Sequence, residues 1–342
     1  MQQKNTQRES IIDTARALAL FLVIIGHLIY AYRPPFRWIF AFHMPAFFFL
    51  SGYTHRDQSP IGYLKKRSSS LMVPYAVFLA LGALVTLSIG ERPPLRTVLV
   101  QSFINMQPEV LHVGQVWFLP ALLLTGLLFC LIREIERRSP VWVRAAIYAA
   151  IFAAAALISK YIGMPRSVIL PFKTGTAIIA VMFYAAGFYT KQRGLTAYLQ
   201  NRMICAAIVP VMAVVVYVFG VKFNASTINL CDSRMGNPIC YMIAAFAGIL
   251  MLLAAASVVR ESKILQFYGR NTLYMFATHS FFIMLMTWVL TKLTGREIAA
   301  YSMPYAEAIA IAIAIIILLA PLGALHEWQK KKKREKVKEE KK

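Results

Sequence analysis

The sequence predicts an all-α protein, a polytopic integral membrane bundle of about ten transmembrane helices with both termini in the cytoplasm. Of its 342 residues, 58% are hydrophobic and 15% are charged, whereas a soluble domain carries roughly a quarter charged residues. The mean hydropathy is +0.58. The basic residues stand between long apolar runs instead of clustering, so nucleic acid is not a predicted partner. These observations exclude a soluble globular domain and indicate a membrane protein.

Nine apolar runs have the length of a membrane span, which takes about 20 mostly apolar residues. They are residues 14–32, 71–90, 114–132, 142–159, 168–190, 203–221, 239–259, 271–291 and 303–325. A shorter run at 38–54 contains Pro45 and ends in Ser51-Gly52. It is either a full span or a broken, partly re-entrant one. We count it as a span, which completes the predicted bundle.

The basic residues orient this bundle, because loops rich in Lys and Arg stay in the cytoplasm. With ten spans, most of the 37 Lys and Arg residues fall on the side of the membrane that holds the two termini. The sequence therefore predicts a membrane domain at 1–329 and a basic cytoplasmic tail at 330–342, which reads KKKKREKVKEEKK. The tail is either a solvated anchor or a contact for anionic membrane lipids.

Two of the four cysteines flank a predicted outer loop. Cys231 and Cys240 lie there, in an oxidising compartment if the membrane is a bacterial inner membrane. They either form a disulfide or stay free thiols. Cys130 and Cys205 lie within spans and are expected to pack as small apolar residues.

Three ionisable side chains share one stripe of the first predicted helix. They are Asp13, Arg16 and His27, and a helix that turns about 100° per residue brings them within about 60° of one another. The helical rise places His27 about 16 Å deeper than Arg16, near the middle of the bilayer. Ionisable groups inside a span are functional candidates, although Arg16 alone can instead extend to the cytoplasmic surface.

Two further histidines are predicted at comparable depth. His279 lies about 13 Å along its span from Arg270, and His43 lies about 9 Å along its span from Arg37, entering from the opposite side. Each taken alone can be an interhelical hydrogen-bonding group. Together with His27 they indicate a polar passage suited to acid–base chemistry, since imidazole exchanges protons near neutrality. The sequence has no HExxH motif and no Walker A loop, so neither a metal site nor a nucleotide-driven pump is predicted.

Four segments in order resemble motifs of acyltransferase family 3, a family of integral membrane proteins. They are Asp13-Thr14-Ala15-Arg16 with His27 after ten further residues, HMPAFFFLSGY at 43–53, WFLPALLL at 117–124 and GRNTLYMFATHS at 269–280. The chain resembles most the fucose-acetylase-like surface-sugar O-acetyltransferases, over about residues 8 to 325.

The resemblance implies transfer of an acetyl group from cytoplasmic acetyl-CoA to a hydroxyl of a surface glycan or its lipid-linked precursor. It places the protein in a bacterial inner membrane, with acetyl-CoA as a substrate and no permanently bound cofactor. His27 matches the essential histidine of the family, Arg16 its partner and Asp13 the acidic position upstream. We add His279 as a catalytic candidate because it can share one pocket with His27.

The remaining site predictions concern binding. The Arg-x-x-Arg pair of the family is replaced by Lys65-Lys66-Arg67, and Arg67 is its counterpart. We predict that these three residues bind the donor phosphates, because charge-assisted hydrogen bonds to phosphate are strong. Four motif residues are predicted to contact substrate, namely His43, Ser51, Trp117 and Asn271.

Two other functions fit the same residues. A transporter or flippase would use the polar passage without making a bond, and a sensing module would bind a glycan without turnover. Within the enzyme interpretation, His27 acts either as a general base or as an acyl carrier.

Overall fold

The computed structural model describes residues 2–161, 170–224, 226 and 228–339. The start of the predicted span at 168–190 and the end of the predicted tail lie partly outside these residues. The α-helices, numbered α1 to α13 in chain order, are Gln2–Leu28, Pro34–Phe40, His43–Tyr53, Pro60–Ser88, Leu95–Leu99, Phe118–Arg137, Val141–Tyr161, Thr174–Gln192, Arg202–Tyr217, Pro238–Val258, Lys263–Arg270, Thr272–Thr294 and Tyr305–Glu339.

The prediction of an all-α, polytopic membrane protein is confirmed. Nine helical segments among the described residues are long and apolar enough to cross a membrane, and they coincide with the nine long apolar runs. β-type pairing within the described residues is confined to two isolated bridges, Ile29 with Met303 and Asn229 with Arg234.

The tenth predicted span, at 38–54, is divided between α2 and α3. Proline has no N–H, and within a helix its ring clashes with the carbonyl four residues earlier. Pro45 would meet the carbonyl of Ala41 in a continuous helix, and the break falls beside that residue, at the non-helical Phe42. Pro45 instead occupies the first turn of α3, where an N–H needs no helical partner. The broken form of this span is therefore the one that the protein adopts.

We call the end of the bundle at which α1 begins and α13 ends the inner end. The opposite end is the outer end. At the inner end, Arg270 pairs with Glu327 of α13 at 3.1 Å. α2 lies towards the outer end, where Arg37 donates to the Val221 carbonyl at 2.8 Å. α3 runs back to the inner end, so α2 and α3 together take the chain from the outer end to the inner end. The charge distribution predicts that the inner end is cytoplasmic.

The basic segment after residue 329 continues α13, which ends at Glu339. The domain boundary predicted at this point marks a change in composition within one continuous helix.

Close packing of α3 against α8 positions the site. Gly52 lies against the backbone carbonyl of Tyr184, and Gly187 lies against the backbone carbonyl of Phe49. A side chain at either glycine would overlap that carbonyl, so the two backbones approach as closely as small residues allow in membrane bundles. α3 is buried along most of its length as a result and presents its two ends to two separate cavities.

Candidate active site

A basic cavity of about 180 Å³ lies towards the inner end of the bundle. Among the described residues, its charged and polar lining comes from six helices and consists of Arg16, Ser51, Thr54, Tyr63, Arg67, Tyr184, Arg270 and Thr272. The three guanidinium groups make it suited to an anion, because arginine binds phosphate through paired N–H donors.

Arg16 is held in this cavity by two helices. Its Nη1 donates to Oδ1 of Asp13 at 3.1 Å, and its Nη2 donates to Oγ1 of Thr54 at 3.1 Å. The second contact ties α1 to the end of α3. The guanidinium therefore packs between helices, which disfavours the alternative that Arg16 simply extends to the surface.

The three cavity arginines differ in their partners. Arg16 pairs with Asp13, and Arg270 pairs with Glu327. Within the described part of the chain, no carboxylate is paired with Arg67, which leaves its charge the least compensated of the three.

A larger cavity of about 480 Å³ lies towards the outer end. Its polar lining comes from α1, α3, α12 and three outer segments, and consists of His27, His43, Gln107, Glu109, His112, Gln115, Asn229, Ser280, Thr287 and Tyr301. Trp117 contributes an aromatic surface. Among these described residues, Glu109 carries the one formal charge when the histidines are neutral.

His27 lies in the last turn of α1 and is contacted on two sides. Its ring stacks on that of His279, with centroids 5.1 Å apart and the planes inclined by 3°. Its Nδ1 lies 2.7 Å from Oη of Tyr301. The structure thus brings together the two histidines that the sequence places on different spans, and it adds a tyrosine.

His279 is fully buried behind His27. Its Nδ1 is 2.5 Å from the carbonyl oxygen of Phe276; a carbonyl only accepts, so the proton is on Nδ1. Its Nε2 is buried without a hydrogen-bond partner among the described residues. A neutral His279 therefore offers an unpaired acceptor next to His27.

His43 occupies the first position of α3, on the wall of the outer cavity. Its Nδ1 donates to the Ile39 carbonyl at 2.8 Å, which also leaves Nε2 as the remaining nitrogen. His27, His43 and His279 do not form a metal-ligand cluster within the described residues.

The two cavities meet at Phe276, which lines both of them. Its ring lies 5.6 Å from that of Phe47 and 5.2 Å from that of Phe118, both lining the inner cavity. A cluster of aromatic rings therefore lies where the arginine cavity and the histidine cavity meet.

The other predicted site residues are divided among several places. Ser51 and Arg67 line the inner cavity, and Trp117 lines the outer one. Lys65 and Lys66 are exposed on α4. The structure thus places only one of the three predicted phosphate-binding residues in a cavity.

Asn271 is buried against α13 and lines neither cavity. Its Nδ2 is 3.2 Å from a carboxylate oxygen of Glu327, and its Oδ1 is 2.8 Å from Nδ1 of His326. These contacts give Asn271 a place in the packing of α12 on α13.

Sequence reasoning missed Arg270, Thr54 and Tyr301. Arg270 stands in the GRNTLYMFATHS segment, but its position in the sequence gives only a depth reference for His279. Thr54 and Tyr301 lie outside any recognisable pattern, and only the folded chain brings them to Arg16 and His27.

A buried lysine lies beside the outer cavity, next to Gln107 of its lining. Lys173 is 3% exposed, donates to the Cys231 carbonyl at 3.0 Å and also contacts Gln107. Cys231 and Cys240 form no disulfide in the structure. Of the two alternatives for these cysteines, a disulfide or free thiols, the structure has the free thiols.

The fold and these two cavities define a multi-pass membrane protein that holds a basic site and a histidine site in series across its bundle. Comparison with known families matches residues 9–323 to the family described as an acyltransferase domain, acyltransferase family 3. The chain belongs to this family and is a membrane acyltransferase. No match was found among curated proteins or among solved structures.

Proposed function

We propose that the protein is an O-acetyltransferase of the bacterial inner membrane. It moves an acetyl group from cytoplasmic acetyl-CoA to a hydroxyl of a surface glycan or its lipid-linked precursor. The observation that carries this proposal is the series arrangement of the arginine cavity and the histidine cavity, joined at Phe276.

The inner cavity supports the donor assignment. Acetyl-CoA carries several phosphate charges, and Arg16, Arg67 and Arg270 are the cations that line this cavity. The pantetheine arm spans roughly 15 to 20 Å by chain length. The rise along α1 separates Arg16 from His27 by about 16 Å, so a donor held at the arginines reaches the histidine with its thioester.

The outer cavity supports a neutral, hydroxyl-bearing acceptor. Its described lining carries amides, hydroxyls and imidazoles with the one formal charge of Glu109, in contrast to the three arginines of the inner cavity. Trp117 supplies an apolar ring face of the kind on which a sugar can pack.

In the proposed reaction, His27 acts as the general base. An imidazole nitrogen of His27 takes the proton of the acceptor hydroxyl as that oxygen attacks the thioester carbonyl carbon. The new C–O bond forms, the C–S bond breaks, and the proton passes to the leaving thiolate, which departs as CoA. His279, stacked on His27, limits the orientations of the ring.

The test is transfer of radiolabelled acetyl from acetyl-CoA to purified surface glycan by the full-length protein in membranes. We expect the wild type to label the glycan and His27→Ala to lose at least about a hundredfold in rate, which is the lower range for a general base. The matched control is His326→Ala, because His326 lines neither cavity.

Full transfer by His27→Ala would contradict the role of this residue. If the wild type moved a substrate across the membrane without labelling any acceptor, the protein would be a transporter and the proposed acetyl transfer would be wrong. Label trapped on the protein in the absence of acceptor, and absent in His27→Ala, would assign the acyl-carrier mechanism instead of the general base.

A further inference from the structure

An outer segment after α12 folds onto the end of α1 and closes it. The N–H of Tyr301 donates to the His27 carbonyl and the N–H of Met303 donates to the Leu28 carbonyl, each at 3.0 Å. Carbonyls in the last turn of a helix have no partner within it. The segment therefore bonds the last two carbonyls of α1, which fixes its own position relative to His27.

Tyr301 is bonded to α1 through its backbone N–H and its side chain, and to the residues just after α1 through its carbonyl. Its carbonyl accepts the N–H of Ala31 at 3.0 Å, and its backbone has a φ of 60°. A left-handed conformation is uncommon for a bulky residue and persists where surrounding contacts impose it. Here the bonds on either side of Tyr301 impose it, and the phenol lies with its Oη 2.7 Å from Nδ1 of His27.

We infer that Tyr301 is a positioning residue for His27, an inference that rests on the proposed acetyl transfer. A general base needs its lone pair on the nitrogen that faces the reacting hydroxyl. The Oη of Tyr301 lies within hydrogen-bond distance of Nδ1, and in the inferred arrangement Nδ1–H donates to this oxygen, which leaves the lone pair on Nε2. Proton transfer to Nε2 then gives an imidazolium whose Nδ1–H keeps the same acceptor.

The other neighbours of His27 leave this role to Tyr301. His279 stacks face to face with the ring, and a face contact does not select a tautomer. The Nδ1 of His43 is already engaged with the Ile39 carbonyl. The ring of Tyr301 meets that of His27 edge-on, at 5.4 Å and 75°, so its hydroxyl is the group in line with the edge of the imidazole.

The first measurement is steady-state kinetics of Tyr301→Phe in the full-length protein. This change removes only the hydroxyl and keeps the backbone bonds to α1. We expect kcat to fall at least about tenfold, a part of the general-base contribution, with the KM for acetyl-CoA unchanged because the donor binds at the arginines. The matched control is Tyr305→Phe, which removes the same group from an exposed tyrosine of the same outer region and should leave kcat as it is.

The second measurement does not depend on turnover. In protein labelled with ¹⁵N at histidine, the His27 signals are assigned by their loss in His27→Gln. We expect a single neutral tautomer protonated on Nδ1 in the wild type, and a mixture in Tyr301→Phe. A merely structural role for Tyr301 would lower the thermal midpoint without changing the tautomer.

The outcomes separate this inference from the proposed function. If His27→Ala abolishes transfer while Tyr301→Phe retains full kcat or the wild-type tautomer, the positioning role is wrong and the acetyltransferase stands. If His27→Ala transfers acetyl at the wild-type rate, His27 is not the base and the positioning role is wrong, although the protein remains an acetyltransferase; a wild type that labels no acceptor overturns the proposed function itself. A fall in kcat together with a shifted tautomer supports the inference.

Discussion

Arg67 and Lys66 are neighbours on α4 that differ in what they face. Arg67 lines the inner cavity and Lys66 is exposed. Arg67→Gln and Lys66→Gln each remove one positive charge from the same turn, so their long-range effect on an anionic ligand is similar. The difference between the two variants therefore isolates the direct contact of Arg67 with a donor phosphate.

The size of this difference follows from the contact. A hydrogen bond to a charged group contributes about 1.5 to 3 kcal/mol net, and the half-buried position of Arg67 favours the lower value. Since about 1.4 kcal/mol is a factor of ten in affinity, Arg67→Gln should weaken CoA binding about tenfold. Lys66→Gln should stay within about threefold, as expected for an exposed charge.

The assay is the Kd for CoA measured by calorimetry on the full-length protein, with acetyl-pantetheine as the second ligand. Acetyl-pantetheine lacks the nucleotide phosphates, so its affinity should be the same in Arg67→Gln as in the wild type. Equal losses of CoA affinity in the two variants would refute the assignment of the inner cavity to the phosphates. So would a loss of acetyl-pantetheine affinity as large as the loss for CoA.

Two further predictions test the connection between the cavities and the inner end of the bundle. Phe276→Trp should narrow the point where the cavities meet, so acetyl transfer should fall while CoA affinity is kept; unchanged transfer would contradict a path at this ring. Burial lowers the pKa of His55, between α3 and α4, to about 4, below its value of about 6.5 in an unfolded chain. Between these two pKa values the unfolded state binds more protons than the folded state. The contribution of neutral His55 to the free energy of unfolding is therefore fully present above pH 6.5 and is lost as the pH falls towards 4, by up to about 3 kcal/mol. His55→Gln should reduce this pH dependence in thermal unfolding, and an identical dependence in the variant would contradict it.

The helices were predictable because the information for them is local. Length and hydropathy identify the long spans, since every backbone group of a spanning segment must be bonded within its own helix. The form of the 38–54 run depended on Pro45, whose effect on Ala41 is also local, but the choice between a full and a broken span needed the folded chain.

The site was predictable to a lesser extent. Arg16 and His27 are eleven residues apart on one helix, so helical geometry alone relates them. Lys66 and Arg67 differ by about 100° around α4, and a helix that is apolar over most of its surface does not reveal which of the two faces the bundle. The exposed position of Lys66 and the cavity position of Arg67 follow from the rotation of α4 against its neighbours.

By itself, the sequence determined the membrane class, the long spans and the stripe of ionisable residues on α1, because these depend on composition and on the period of a single helix. Only the tertiary structure decided that His279 stacks on His27, that Asn271 packs against α13 and that Tyr301 bonds to His27 from an outer segment. The physical reason is that contacts between helices depend on their tilt, rotation and distance. These are set by close packing at positions such as Gly52 and Gly187, and no local pattern of residues encodes them.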